Sequence, residues 1–210
     1  MMRELFDKHG CDKGSKHGYE SVYERDFEKL RQFPINILEI GILHGDSLEV
    51  WLEYFPNATI YAVDTFERVA PEDISILENP RVIWEKCDST SSEAKNLWCD
   101  IKFDIIIDDG RHTSTHNRLT FLNFCDKLKV GGAYYVEDVI QHNIVTPIDR
   151  LKGSYKETLP NNYYVMWGSI DKYNEMLDTF RRNGEKVIIY DLRESSNFID
   201  ACIIKILKWM

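Results

Sequence analysis

The sequence predicts a single α/β domain, residues 1–210, built on a mostly parallel seven-stranded sheet with a C-terminal antiparallel hairpin and helices on both faces. Two observations carry this. Short β-branched runs alternate with amphipathic stretches, the signature of parallel strands joined by helical crossovers. The last two apolar runs break that rhythm: only the polar, turn-rich residues 193–197 separate them, so they pair as a hairpin. A chain of 210 residues, 43% hydrophobic and 29% charged, buries one full core and leaves little room for a second.

The elements follow in order. Residues 1–33 form an N-terminal segment in which Tyr19, Val22, Tyr23 and Phe27 fall on one helical face. Strands are expected at 35–41, 59–64, 81–88, 103–108 and 133–137. After the first, Leu48, Trp51, Leu52 and Phe55 recur at i, i+3, i+4 and i+7, an apolar stripe with Asp46 or Ser47 available to cap its start. A second stripe, Tyr173, Met176, Leu177 and Phe180, precedes the hairpin strands 187–190 and 201–207. Five parallel strands and a hairpin form the ending of a Rossmann-like class I methyltransferase, whereas a plain dinucleotide-binding sheet more often adds a sixth parallel strand. Residues 140–170 have no period and carry Pro147, Pro160, Tyr155, Tyr163, Tyr164 and Trp167. They read as a lid over the active end of the sheet, or equally as aromatic side chains packing a surface loop.

Composition excludes several classes. Thirty-five acids against 26 Lys and Arg give a net charge of −9, which offers no general basic face for nucleic acid or anionic membrane. The first twenty residues are too polar for a signal peptide, and the longest apolar run, near Ile203, is too short to span a bilayer. Five cysteines without a C-x-x-C pair suggest neither a disulfide framework nor a zinc knuckle, and point to a reducing cytoplasm. The doubled Met1-Met2 hints at a domain cut from a longer polypeptide.

In an open parallel sheet the ligand lies beyond the carboxyl ends of the strands, and here nearly every end carries an acid. The first strand runs into Glu39-Ile40-Gly41-Ile42-Leu43-His44-Gly45, where Gly41 and Gly45 allow a sharp turn. The pattern is neither G-x-G-x-x-G nor a P-loop, because a carboxylate replaces the first glycine and no lysine follows. A carboxylate suits S-adenosyl-L-methionine, which carries an ammonium and a sulfonium. Asp64, 23 residues after Gly41, stands where an acid accepts from both ribose hydroxyls, and Asp88 where one holds the adenine amino group. Each alone is as easily a solubilising strand cap; the combination is what points to the cofactor.

The fourth strand ends Asp108-Asp109-Gly110-Arg111-His112 and the fifth Glu137-Asp138. Four carboxylates at neighbouring strand ends repel one another unless something positive sits among them, and such an oxygen-rich site favours Mg²⁺, Ca²⁺ or Mn²⁺. A divalent ion there would chelate two hydroxyls of an acceptor and acidify one, with His112 placed to take the proton. The alternative is that Glu137 and Asp138 cap the sheet and His112 opens the next helix. His112 and His116 also have the i, i+4 spacing of helical zinc ligands, but H-E-x-x-H is absent. His142 is a second candidate base.

At these residues the chain resembles the metal-dependent sugar O-methyltransferases of the mycinamicin, rhamnosyl-tetracenomycin and macrocin type. The resemblance rests on Gly10-Cys11-Asp12-Lys13 with His17, Tyr19, Tyr23 and Phe27, the Glu39–Gly45 loop, Asp64, the 108–112 turn and Glu137-Asp138. It implies that Asp109, Glu137 and Asp138 hold Mg or Mn, that His112 is the general base with Asp109 beside it, and that Lys13 and Tyr19 fold over the cofactor. The expected cofactor set is Lys13, Tyr19, Glu39, Gly41, Gly45, Ser47, Asp64, Thr65, Asp88 and Asp108; the acceptor set is His17, Arg111, His142, Tyr163 and Trp167. Cys11 departs from the usual threonine, and Arg111 from a usually small residue. The expected reaction is methyl transfer to a hydroxyl of a rhamnose-like deoxysugar, free or within a glycan or glycoconjugate. The alternatives are a catechol-type O-methyltransferase acting on a small aromatic diol, or a non-catalytic module that binds cofactor or glycan. Related domains occur fused to glycosyltransferases, including in large algal viruses, so a partner of that kind and a host-cytoplasm location are expectations too. The larger family members carry an extra N-terminal domain, so their oligomeric state does not transfer.

Overall fold

Buried parallel strands are largely apolar on both faces, and the runs at Asn36–Ile40, Thr59–Asp64 and Phe103–Asp108 are so in their interiors apart from Glu39 and Asp104. The computed structural model describes residues 1–139, 170–184, 186–196, 198 and 200–208. All of the lid expected at 140–170 except Ile170 lies outside them, and so do His142, Tyr163 and Trp167.

Among the described residues, the strands β1 (Asn36–Ile40), β2 (Thr59–Asp64), β3 (Val82–Lys86), β4 (Phe103–Asp108), β5 (Leu128–Val136), β6 (Lys186–Asp191) and β7 (Cys202–Leu207) form one sheet in the order β3-β2-β1-β4-β5-β7-β6. The first five are parallel, and β7 inserts antiparallel between β5 and β6. This is the parallel sheet with closing hairpin that the sequence predicts. The order reverses at β1 and β4, whose chains leave in opposite directions and open a crevice there.

Helices α1 (Met2–Lys8), α2 (Glu20–Phe27) and α3 (Asp46–Tyr54) cover one face; α4 (Ser114–Phe124) and α5 (Ile170–Asn183) cover the other. Side chains alternate between these layers. Ile37, Ile105 and Ile107 join the layer of Phe27 and Trp51, while Leu38, Ile106 and Tyr134 join that of Phe121 and Phe180. The predicted α5 stripe, Tyr173, Met176, Leu177 and Phe180, is wholly buried, each side chain contributing about 1.5–3 kcal/mol. Trp51 of the predicted α3 stripe is ringed by Phe6, Tyr23 and Phe27 in edge contacts. The N-terminal segment is thus part of the core.

Three expectations are corrected. Neither Asp46 nor Ser47 caps α3: Gly45 does, in the left-handed conformation at φ 85°, and both residues lie inside the helix. β5 begins at Leu128, five residues before the expected 133, because Gly131 (φ 79°) makes a bend that the strand absorbs, its N–H donating to the Lys208 carbonyl. The 193–197 turn contains one helical turn, α6 (Arg193–Ser196), started by Arg193 forking onto Asp191 at 2.8 and 2.6 Å. No helix among the described residues is long and apolar enough to cross a membrane.

Candidate active site at the carboxyl ends of the strands

A cleft of about 630 Å³ opens above the ends of β1 to β5. Its walls include Gly41, Asp64, Thr65, Asp88, Asp109, Arg111, His112 and Asp138 from the predicted set. Glu39, Gly45, Ser47, Asp108 and Glu137 do not reach it, and neither do Lys13, His17 and Tyr19.

Strand parity explains the division. Glu39 shares its face with Ile37 and points into the α2–α3 layer, where its Oε2 accepts from Trp51 Nε1 at 2.7 Å. Burial pushes its carboxyl up to about 7, with the charge of Lys13 opposing. Asp108 points into the other layer, toward Tyr134 Oη at 3.3 Å, and burial raises it to about 7 against the pull of His112. Both are acids of the floor.

Gly41 and Gly45 are required for backbone reasons. Gly41 sits at φ 93°, and a β-carbon there would overlap the carbonyl oxygen of Asp109, whose N–H donates to Ile40. The β1 and β4 turns therefore touch through this glycine. Gly45 packs against Ile74 and Ile76, which a β-carbon would meet at 2.9 and 2.6 Å. Asp64 braces the same loop: its Oδ2 accepts from the N–H of Ile42 at 2.7 Å and its Oδ1 from that of Phe66 at 2.7 Å. Asp88 is held below the usual carboxylate range by the hydroxyl and N–H of Thr90, at 2.7 and 2.8 Å on one oxygen.

The chemistry concentrates where β4 and β5 end. Register places Asp108 beside Val136, so the next residues, Asp109 and Glu137, are neighbours that face the α2 layer. The positive group that sequence reasoning requires among these acids is Lys13. Its buried ammonium bonds Asp109 Oδ2 and Glu137 Oε2 and lies 3.8 Å from Glu39 Oε1. Burial works against its charge, but Asp109, Glu137 and Glu39 outweigh it and keep Lys13 protonated. Tyr23 donates to the other oxygen of Glu137.

Asp138, at φ 52°, turns away from that cluster toward the cleft. The Tyr19 hydroxyl donates to its Oδ1 at 2.6 Å. His17 lies behind it, 3.6 Å from Asp12, 3.7 Å from Asp138 and 3.8 Å from Asp200, at ion-pair rather than hydrogen-bond distance. Burial lowers its pKa, but the three acids raise it above the ordinary histidine value.

His112, also at positive φ (57°), directs Nε2 toward Asp109 Oδ1 at 3.8 Å and Asp138 Oδ2 at 4.0 Å. Among the described residues, Asp109, His112 and Asp138 present three donor atoms that all lie within 4.8 Å of one another. That span is about twice a metal–oxygen bond, so one hard cation fits between them. His116 lies inside α4 but His112 precedes it, which removes the helical zinc pair. Sequence reasoning missed the cleft residues Asp12, Lys16, Glu67 and Arg68. The last two come just after Asp64-Thr65-Phe66 and were within reach of a strand-end rule.

No protein-family model matches the chain. It is 32% identical over 141 residues to the 8-demethyl-8-alpha-L-rhamnosyl tetracenomycin-C 2'-O-methyltransferase of Streptomyces olivaceus, covering 63% of this chain and 36% of that protein. It is 28% identical over 135 residues to the mycinamicin VI 2''-O-methyltransferase of Micromonospora griseorubida, covering 60% and 32%. The chain thus spans about a third of the length of the curated relatives it matches. Among solved structures, the MycE methyltransferase of the mycinamycin biosynthetic pathway, in complex with Mg and SAH, superposes with a TM-score of 0.68 at 21% identity, covering 99% of this chain and 54% of that one. The SAH-bound Podospora anserina methyltransferase PaMTH1 gives 0.65 at 16% identity, covering 100% and 87%.

Proposed function

We propose that this chain, related in sequence to sugar O-methyltransferases and sharing the Rossmann-like methyltransferase fold, transfers a methyl group from S-adenosyl-L-methionine to a sugar hydroxyl with the help of a divalent cation. The observation that carries the proposal is the convergence of Asp109, His112 and Asp138 on the rim of the same cleft that Asp64, Thr65 and Asp88 line. Its volume falls within the usual range for a cofactor site.

The two carboxylates suit Mg or Mn better than a soft metal. Asp109 and Asp138 would hold the ion, and Asp64, Thr65 and Asp88 the nucleoside of the cofactor. When bound, the ion supplies positive charge that acidifies a coordinated hydroxyl, and the cofactor supplies the methyl group. The residues do the rest. Tyr19, through its bond to Asp138, fixes that carboxylate at the cleft. His112, on the same rim, accepts the hydroxyl proton as the oxygen is methylated. A rhamnose-like acceptor, free or attached to a glycan, is the substrate class favoured, because two relatives are named for rhamnosyl tetracenomycins.

Turnover tests this. With S-adenosyl-L-methionine and Mn²⁺, simple rhamnosides should gain one methyl group by mass spectrometry, and chelation should stop the reaction. Methylation of catechols with rhamnosides untouched would replace the sugar reading by the aromatic one.

A further inference from the structure

The proposed ion shares a carboxylate with a cation that the chain already carries. Asp109 turns Oδ2 to the ammonium of Lys13 and Oδ1 toward His112 Nε2. Both oxygens of Glu137 are engaged, one by Lys13 and one by the Tyr23 hydroxyl. Glu39 Oε1, fully buried and without a hydrogen-bond partner, faces the Lys13 ammonium at 3.8 Å. Three carboxylates, those of Glu39, Asp109 and Glu137, surround one buried ammonium, more negative charge than Lys13 alone balances. An unoccupied acceptor oxygen aimed into such a cluster marks room for further positive charge.

The geometry points to Lys13 as a built-in competitor of the divalent ion, its ammonium filling the gap between Asp109 and Glu137 until an ion takes Asp109 and displaces it. Two cations on one carboxylate repel strongly where burial keeps the dielectric low. Withdrawal of the ammonium frees Glu137, which then joins Asp109 and Asp138 as a donor. Lys13 thereby sets the affinity for the ion and keeps the acids tolerable without it. It also couples the ion to the N-terminal segment, because Lys13 lies between α1 and α2 and ties that stretch to the strand ends 96 and 124 residues away. The inference rests on the reading of Asp109 and Asp138 as holders of the ion.

The test is equilibrium binding of Mn²⁺, read as free Mn²⁺ by electron paramagnetic resonance, to chelator-treated wild-type, Lys13→Met and Lys13→Arg proteins. Lys13→Met should bind Mn²⁺ tighter by about tenfold or more, equivalent to about 1.4 kcal/mol. Lys13→Arg, which keeps the charge, should stay close to wild type. Mn²⁺ should also raise the melting temperature of Lys13→Met by more than it raises that of wild type. A second readout needs no variant: Lys13 of the wild type, almost fully buried, should become more reactive toward an acylating reagent when Mn²⁺ is added, as followed by peptide mass spectrometry. Equal or weaker Mn²⁺ binding by Lys13→Met, or unchanged labelling of Lys13 in Mn²⁺-saturated wild type, would overturn the competition while leaving the metal site standing. Failure of both wild type and Lys13→Met to bind Mn²⁺ would remove the metal reading and the competition together.

Discussion

His112 is bound to the backbone of its turn by an unusual conformation, and to the chemistry by its Nε2, which faces two carboxylates. Truncation separates its two possible tasks. As a base, His112→Ala should lower kcat by about a hundredfold or more while leaving the Mn²⁺ affinity unchanged. A parallel loss of Mn²⁺ affinity would make it a ligand. Gly41 gives a second residue-scale expectation: at φ 93° and against the Asp109 carbonyl, Gly41→Ala should destabilise the fold by roughly 3 kcal/mol or more, read by denaturant titration. Which residues would matter was partly legible. Asp64, Asp88, Asp109, His112 and Asp138 follow from the rule that strand ends face the ligand, and all line the cleft. Glu39 and Asp108 obey the same rule in sequence but not in space: Glu39 lies one position short of the end of β1, Asp108 is the last residue of β4, and pleating turns their side chains into opposite layers. The site of Lys13 was not legible, since loop-to-sheet contacts across 96 residues leave no local pattern.

At the scale of elements, legibility tracked periodicity. β2 and β4 begin and end where expected, because a buried parallel strand reads as a nearly continuous apolar run. β5 does not, since its Gly131-Gly132 pair imitates a turn. α4 had no stripe to find: its inner face carries Asn117, Thr120 and Asn123 beside Phe121 and Phe124, and Asn123 spends its amide on the carbonyls of Ser89 and Ser91 at 2.8 Å. α5 had a clear stripe, Tyr173, Met176, Leu177 and Phe180, and all four are buried. Met176→Ala should therefore cost about 2–5 kcal/mol, and a loss below 1 kcal/mol in urea unfolding would mean that the helix is not docked.

For the molecule as a whole, the buried acids make stability depend on pH in an unusual sense. Glu39 and Asp108 have folded values near 7, above their ordinary 4.5 and 3.8, so between about pH 4 and pH 7 the folded state binds more protons than the unfolded one. Their contribution is complete below pH 4 and lost as pH rises through 7. Burial also pushes Asp26 up, but hydrogen bonds from Arg25 and Lys205 outweigh it and hold the carboxyl low; its stabilisation acts above pH 3.8 and fades only below. The chelated protein should consequently melt at a higher temperature at pH 5.5 than at pH 8, and Glu39→Gln should narrow that difference; a higher melting temperature at pH 8 would contradict the assignment of these two acids.

Calorimetric titration of S-adenosyl-L-methionine and its demethylated product into chelator-treated protein, repeated with Mn²⁺ and a simple rhamnoside, reaches furthest into this account. Cofactor binding in the micromolar range, with rhamnoside binding that appears only when Mn²⁺ is present, is the expected result. Absence of cofactor binding with or without the ion would contradict methyl transfer itself and leave a methyltransferase fold that serves another purpose.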